Sequence, residues 1–205
     1  MKFIEFQKLF GDFTVFSLAD IRQADDSFQR RRLNEWQEKG YIRKVVKGYY
    51  IFSGGQLDEN ALFEIANRIY APSYISFEMA LSYYGLIPES VYGITSASTR
   101  KTSSFKTTLG SFIYRTIRPK LYFGFNLEKY GRKLFRIASA EKALLDLFYI
   151  KPGIRRKDDF ASLRVNRKEF LKLLSRDKMN RYLRAYGQVS LERRINAFWE
   201  YIKYA

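Results

Sequence analysis

The sequence predicts an α+β protein with a small N-terminal domain and a larger mixed α/β domain that is helical toward its C-terminus. Residues 1–52 alternate short helical and strand-like segments, residues 92–125 lose the helical period and are rich in Thr, Ser, Tyr, Ile and Phe, and the last third regains helical spacing. The glycine-containing stretch "SGGQLDEN" predicts a boundary between domains of residues 1–55 and 56–205.

The first forty residues predict three helices. "FIEFQKLF" is typical of a helix that ends at Gly11, "TVF" of a strand, and "LADIRQA" of a helix capped by Ser17. The residues expected to face inward on the second helix are Leu18, Ile21 and Ala24. After a tight turn at residues 25–27, a third helix is expected from about Phe28 to Lys39, ended by Gly40.

The segment "RKVVKGYYIF" predicts a two-stranded ribbon directly after these helices. Val45, Val46 and Tyr49–Phe52 form its strands. Gly48 tolerates the positive φ of the turn, and Lys47 lies at the tip. Helix, strand, helix, turn, helix and ribbon is the element order of a winged helix-turn-helix, whose third helix enters the major groove of DNA.

One face of the third helix is predicted to bind double-stranded DNA. At about 100° per residue, Phe28, Leu33 and Trp36 point one way and a polar set points the other. Arginine and asparagine read base edges, and lysine contacts phosphates. The predicted DNA-binding residues are Ser27, Gln29, Arg30, Arg31, Asn34, Gln37, Lys44 and Lys47, with Arg30, Arg31 and Asn34 assigned to base or groove contacts. Arg32 is expected to be structural, and a solvated face is the alternative for the whole set.

The second domain is predicted to begin with two helices and to continue with strands. A helix is expected from Glu59 to Tyr70, and "SFEMALSYYGL" predicts another that Ser76 caps and Gly85 ends. The inward residues of that helix are Phe77, Ala80, Leu81 and Tyr84. Three or four short strands are expected over residues 92–125, with a hairpin turn at 108–111.

Helices are predicted again from residue 139 onward. "ASAEKALLDLFYI" is a helix capped by Ser139, with Ala140, Leu144, Leu147 and Phe148 inward and Glu141, Lys142 and Asp146 outward or flanking. Asn166 and Glu169 form a capping-box pattern before "FLKLL". "LERRINAFWEYIKY" places Leu191, Ile195, Phe198, Trp199 and Ile202 on one face, and "KPGIRRKDDF" is expected to be a charged loop.

The charge distribution points to a polyanionic partner. The chain has 37 basic and 21 acidic residues, for a net charge of +16. Residues 1–52 carry +3, residues 53–91 carry −4 and residues 92–205 carry +17. Possible secondary nucleic-acid contacts are therefore Arg100, Lys101, Arg155, Arg156 and Lys157. The last three are equally typical of an acidic-partner site or of a solvated surface.

Several absences argue against an enzyme. The chain has no histidine and no cysteine, which removes the usual acid–base, thiolate and zinc designs. Phosphate-loop, dinucleotide and (D/E)-x-K nuclease patterns are missing, so no cofactor or metal is expected. Ser139 and Lys142 match S-x-x-K without its companion motifs. No signal peptide or membrane-spanning run is recognisable, so a cytoplasmic protein without a membrane partner is expected.

The segments "YISFEMALSYYGLIPES", "TSASTRKTSSFKTTLGSFIYRTI", "YFGF" and "IASAEKALLDLFYIK", in that order after "GYIRKVVKGYYIF", resemble the AbiEi-type antitoxins of bacterial abortive-infection systems. The resemblance covers residues 14 to about 151. It implies a winged helix that represses its own operon, often on inverted repeats, and a C-terminal domain that opposes a co-transcribed nucleotidyltransferase toxin without forming a stable complex. It assigns Arg30, Arg31, Asn34 and Lys47 to operator binding, and Gly85, Arg100, Gly110 and residues 141–146 to structure.

The basic excess beyond residue 91 departs from that pattern, because an operator bound only by the first domain predicts the excess there. We therefore expect the second domain to touch nucleic acid as well, either by clamping operator phosphates or by occupying the toxin's RNA substrate. Two other function classes remain open: a protein-interaction module that neutralises a toxin by direct binding, and a histidine-free nucleic-acid enzyme. A basic RNA-binding protein is a further alternative.

Overall fold

The computed structural model describes residues 1–88 and 93–204, and their α+β architecture agrees with the predicted fold class. The helices are α1 (Phe3–Phe10), α2 (Leu18–Ala24), α3 (Arg31–Glu38), α4 (Glu59–Ile69), α5 (Phe77–Tyr83), α6 (Ala140–Ile150), α7 (Lys157–Ser162), α8 (Arg167–Leu173), α9 (Arg176–Tyr186) and α10 (Val189–Tyr204). The strands are β1 (Phe16–Ser17), β2 (Ile42–Val46), β3 (Tyr49–Phe52), β4 (Ser73–Ile75), β5 (Ile94–Ser98), β6 (Ser103–Thr107), β7 (Gly110–Thr116), β8 (Phe125–Tyr130) and β9 (Lys133–Ala138). Tyr92, where the predicted strand region starts, lies outside the described residues.

The first sheet is antiparallel with the strand order β1-β3-β2. Three helices cover it, and aromatic rings fill the space between, with Phe6 and Trp36 at a centroid distance of 4.7 Å. The predicted ribbon turn is confirmed, since Gly48 has a φ of +89° between β2 and β3. The predicted cap of α2 is also confirmed, because the Ser17 side chain accepts from the backbone amide of Asp20 at 3.2 Å.

Two details of this first region were wrongly predicted. Ala24 is exposed rather than inward, because α2 ends there and Asp25 continues in an extended conformation. Helix α3 begins at Arg31 rather than near Phe28. The preceding residues form a tighter turn, in which the amides of Arg32 and Leu33 donate three residues back to the carbonyls of Gln29 and Arg30 at 3.0 Å.

The second sheet has six strands in the order β6-β7-β5-β4-β9-β8. It is mixed, because β4 pairs parallel to β9 and β5 parallel to β7, whereas the remaining pairs are antiparallel. The predicted hairpin turn is confirmed, with Thr107 facing Gly110 across β6 and β7. Strand β4 and the hairpin of β8 and β9 were not predicted, and the expected charged loop contains the short helix α7.

The largest correction concerns α6. Glu141, Lys142 and Asp146, predicted to point outward or to flank, are 3%, 0% and 0% exposed. Helix α6 contacts α5, α9, α10 and β9, so every residue from Ala140 to Phe148 is buried. An outward face does not exist on a helix that is covered on all sides.

Polar contacts and shared core connect the first sheet to the rest of the chain. Thr14 donates to the Glu64 carboxylate at 2.5 Å and accepts from Lys133 at 2.7 Å, and Arg68 pairs with Asp20 at 2.8 Å. Val45 and Ile51 belong to the larger hydrophobic cluster. The division into residues 1–55 and 56–205 stays a prediction. Within the described residues, none of the helices combines the length and apolar character that membrane spanning requires.

Candidate nucleic-acid interface and a buried lysine cluster

The outward face of α3 carries the side chains predicted to read DNA. Arg30, Arg31 and Asn34 are exposed, whereas Leu33 and Trp36 on the opposite side are 1% and 4% exposed. The predicted division of this helix into an apolar and a polar face is therefore confirmed. Arg30 is the residue immediately before the helix, and the other two lie in its first turn.

Some polar side chains near this face already form bonds within the protein, whereas others are available to a ligand. Arg31 pairs with Glu35 of the same helix at 3.2 Å, yet its side chain is 82% exposed. Gln37 is half-buried and donates to the Leu33 carbonyl at 3.1 Å. Arg32 donates to the Met1 carbonyl at 3.0 Å, in agreement with its predicted structural role. Arg30 and Asn34 are exposed and take part in none of these bonds, so they are the more accessible side chains of this face.

Ser27 and Gln29 lie outside the first turn of α3, because that helix begins later than predicted. Both are exposed, but the Ser27 hydroxyl donates to the Asp25 carboxylate at 2.6 Å. This hydrogen bond lowers the pKa of Asp25, and the nearby N-terminal amine of Met1 adds to the effect. The position assigned to Ser27 and Gln29, at the N-terminus of the helix near the DNA backbone, is therefore corrected to the turn before the helix.

The ribbon after α3 holds two further predicted contacts. Lys44 and Lys47 are exposed, while Val45 between them is buried. Lys44 lies on β2, opposite Tyr50 of β3, and Lys47 stands in the turn beside Gly48. Helix α3 packs against β2, so the exposed lysines belong to the strand and turn next to the arginine face.

The two predicted secondary sites are on separate elements. Arg100 lies 4.1 Å from the Tyr70 ring centroid and donates to the Ala71 carbonyl at 3.1 Å, which gives it a structural role. Lys101 is exposed, and its carbonyl accepts from the Tyr70 hydroxyl at 2.7 Å. Arg155, Arg156 and Lys157 are exposed at the start of α7.

The sequence did not predict the buried polar cluster of Lys142, Asp146, Tyr74, Tyr186 and Ser76. The Lys142 amine donates to Asp146 and to the hydroxyls of Tyr74 and Tyr186, the latter two at 2.7 and 2.9 Å. The Asp146 carboxylate also accepts from the hydroxyls of Tyr74, Ser76 and Tyr186 at 2.9, 2.8 and 2.6 Å. These bonds connect β4, α6 and α9.

Burial and the charge of Asp146 change the pKa of Lys142 in opposite directions and the pKa values of the two tyrosines in the same direction. Burial lowers the pKa of Lys142, and attraction to Asp146 offsets part of that lowering. Burial also raises the pKa values of Tyr74 and Tyr186 well above 10.0, and the Asp146 carboxylate raises them further. Both charged side chains are 0% exposed. The cluster therefore neutralises its charges internally and offers no surface to a solute.

A local signal for the cluster exists in the sequence. Lys142 and Asp146 are four residues apart within an otherwise apolar run, which is the spacing of an intrahelical ion pair. Tyr74 and Tyr186 are distant from Lys142 in the sequence, and only the folded chain brings their hydroxyls to its amine. The S-x-x-K pair is not assembled, because the Ser139 hydroxyl has no hydrogen-bond partner among the described residues and the Lys142 amine is bound elsewhere.

Glu141 forms a second buried contact in α6. Its carboxylate accepts from the Ser175 amide at 3.1 Å and pairs with Lys178 at 2.9 Å. Burial opposes its ionisation, but the hydrogen bonds from Lys178 and Ser175 outweigh burial and lower its pKa. Within the part of the chain that the structure describes, no group of three acidic side chains is placed to hold a metal ion. A comparison of the chain with protein-family models and with curated proteins finds no match in either set.

Proposed function

We propose that this protein is a DNA-binding transcriptional repressor of its own operon and the antitoxin to a nucleotidyltransferase toxin in an abortive-infection system of the AbiEi type. Residues 1–55 would act as a winged helix-turn-helix, with α3 in the major groove and the turn between β2 and β3 as the wing. The partner is double-stranded DNA of its own promoter, in paired half-sites.

The main support for the repressor proposal is the set of exposed side chains on the outward face of α3. Arg30, Arg31 and Asn34 are exposed there, whereas Leu33 and Trp36 are buried. Guanidinium and amide groups make bidentate contacts to guanine and adenine in the major groove. The exposed lysines of the adjacent ribbon supply the phosphate contacts that set position and salt dependence.

The antitoxin half of the proposal depends on the sequence resemblance. Its most specific segments, "YISFEMALSYYGL" and "AEKALLDLFYI", correspond to β4 with α5 and to α6. Four members of the Lys142 cluster lie within these segments, since Tyr74 and Ser76 come from the first and Lys142 and Asp146 from the second, whereas Tyr186 of α9 lies outside them. A role in holding the fold accounts for such a motif without a catalytic function.

Binding of the full-length protein to the DNA upstream of its own gene tests the repressor half. It is titrated against random duplex of the same length over a range of salt concentrations. We expect tight binding that protects two half-sites and survives physiological salt, and we expect Arg30→Ala with Asn34→Ala to remove the preference. Arg181→Ala, an exposed arginine on α9, is the charge-matched control. Equal affinity for both DNAs, lost in salt, contradicts sequence-specific repression.

Co-expression with the neighbouring nucleotidyltransferase gene tests the antitoxin half separately. We expect the full chain to restore growth of cells that express the toxin. Restored growth with Arg30→Ala and Asn34→Ala together would show that antitoxin activity does not require operator binding. Failure of the wild-type chain to restore growth contradicts the antitoxin proposal and leaves the repressor proposal intact.

A further inference from the structure

A groove between α7 and α10 combines cationic and aromatic side chains. It has a volume of about 580 Å³, and its lining includes Arg155, Arg156, Lys157, Glu200, Tyr201 and Tyr204. This volume lies within the range of small-ligand sites. The groove contains the predicted secondary contacts Arg155, Arg156 and Lys157, whereas α3 and the Lys142 cluster contribute no residue to its lining.

The cations of the groove are available to a ligand. The backbone amides of Arg155 and Arg156 donate to the Asp159 carboxylate at 2.9 and 2.8 Å, which leaves their side chains free of that bond. Arg156 and Lys157 form no ion pair with any carboxylate of the described residues. Asp159 does not line the groove, and Glu200 is the acidic residue that does.

The segment that carries these cations is held in place. Arg155 donates through Nε to the Pro152 carbonyl at 2.6 Å. Arg194 of α10 donates to the carbonyls of Phe148 and Lys151 at 2.8 and 3.3 Å, so α10 fixes the end of α6 and the residues after it. A site with a fixed backbone loses less entropy when a ligand binds.

The aromatic side of the groove offers a stacking surface. Tyr201 packs on Phe160 with ring centroids 5.6 Å apart, which fixes its ring. Tyr204 is 74% exposed, and the Lys203 amine lies 5.1 Å from its ring centroid, so a base can stack on the part of the ring that Lys203 does not cover. Aromatic rings beside a basic rim are the combination by which proteins bind single strands, because bases stack on the rings and phosphates contact the cations.

We infer that this groove binds a short segment of single-stranded nucleic acid. One base stacks on Tyr204 and Tyr201, and the adjoining phosphates contact Arg155, Arg156 and Lys157. The Glu200 carboxylate accepts a hydrogen bond from an exocyclic amino group of a base, as carboxylates do for cytosine. The inference does not rest on duplex binding by α3, because none of its residues is shared with that face.

The test uses the full-length protein and a fluorescent single-stranded oligonucleotide of about ten nucleotides. We expect Tyr204→Ala to weaken binding by about five- to hundredfold through lost stacking. We expect Arg155→Ala with Arg156→Ala to lower the slope of log affinity against log salt by about 1.4, or 0.7 for each lost phosphate contact. Arg181→Ala is the control and should leave the affinity within about twofold, whereas Arg30→Ala reports whether the strand uses the face of α3 instead. All of these side chains except Tyr204 are exposed cations, and Tyr204 itself is mostly exposed, so the variants should fold.

Four results would overturn the inference. An abasic strand that binds as tightly as the normal one would exclude stacking. An aspartate-rich peptide of equal charge that binds as tightly would make the groove a general anion surface. A free nucleoside monophosphate that binds as tightly as the oligonucleotide would assign the groove to free nucleotides instead of a strand. If binding were lost only in the α3 variant, the single strand would be sharing the duplex site.

Discussion

The outward face of α3 and the Lys142 cluster both contain basic side chains, but the first exposes them to solvent and the second buries them. On α3, Arg31 is 82% exposed and its single ion pair is on the surface. In the cluster, Lys142 is 0% exposed and its amine is shared among one carboxylate and two hydroxyls. The position of a cation, more than the net charge of the chain, therefore decides whether that cation holds the fold or remains available to a partner.

Removal of the buried cation should give the largest effect. Lys142→Met leaves the Asp146 carboxylate buried without its counter-charge, and we expect a loss of about 3–5 kcal/mol in the free energy of unfolding. Urea unfolding monitored by circular dichroism measures it. Lys172→Met is the matched surface control, because Lys172 is 66% exposed and pairs with Glu169 at 3.3 Å. It should change stability by less than about 0.5 kcal/mol.

A double variant sharpens this first prediction. Lys142→Met with Asp146→Leu removes both charges, so part of the lost stability should return. Recovery should be incomplete, because the hydroxyls of Tyr74, Ser76 and Tyr186 lose their common acceptor. If Lys142→Met alone cost no more than Lys172→Met, the buried pair would not hold the fold, and the contrast between the two regions would disappear.

The face of α3 should respond through DNA affinity. Arg30→Ala and Asn34→Ala should each weaken operator binding by about 1–3 kcal/mol, and the loss should depend on the base at one position. Lys47→Ala should weaken binding to all sequences and lower the salt slope by about 0.9. A panel of operators with single base changes, titrated at several salt concentrations, measures both. An equal loss on every sequence for all three variants would contradict base reading by α3.

The features that the sequence predicted correctly are those that depend on residues close together along the chain. The Ser17 cap, the glycine turn at Gly48 and the two faces of α3 depend on contacts within a few positions, and all three are confirmed. Lys142 was predicted to point outward or to flank because an isolated helix places charge in solvent. The spacing of Lys142 and Asp146 in an apolar run indicates their pairing, but the burial of Lys142 also depends on Tyr74 and Tyr186, which are distant along the chain.

Alkaline pH should separate the cluster from the surface. Because burial raises the folded-state pKa of Tyr186 above 10.0, the unfolded state loses that proton first and stability should fall as pH rises above about 10. Lys142 has the opposite effect on stability: because its folded-state pKa is lowered from 10.5, its contribution to stability increases as pH rises toward 10.5. Above pH 10.5 that increase is complete. Above pH 10.5, Tyr186→Phe should flatten the decline by up to about 1.4 kcal/mol per pH unit. If the free energy of unfolding of Tyr186→Phe fell with pH as steeply as that of the wild type, Tyr186 would have the same pKa in the folded and unfolded states.

The smallest effect is expected for the ion pair on α3. Glu35→Gln removes the partner of Arg31 and should lower the free energy of unfolding by only about 0.3–0.5 kcal/mol, because the pair is exposed and four residues apart on one helix. The same change removes a negative charge beside the proposed phosphate path. Like charges about 4 Å apart in water repel by about 1 kcal/mol and by less at longer range, so duplex binding should tighten by at most about fivefold.

Glu192→Gln on α10 is the control for this last variant, since it makes the same charge change on an exposed residue away from α3. Fluorescence anisotropy with the operator duplex at low salt compares the two, because screening weakens such an effect as salt increases. Tighter binding by Glu35→Gln alone would mean that Arg31 exchanges its carboxylate partner for a group on the DNA when the duplex binds. The same gain with Glu35→Gln and Glu192→Gln would show that the tighter binding comes from the change in net charge. The Arg31–Glu35 pair would then have no specific role in DNA binding.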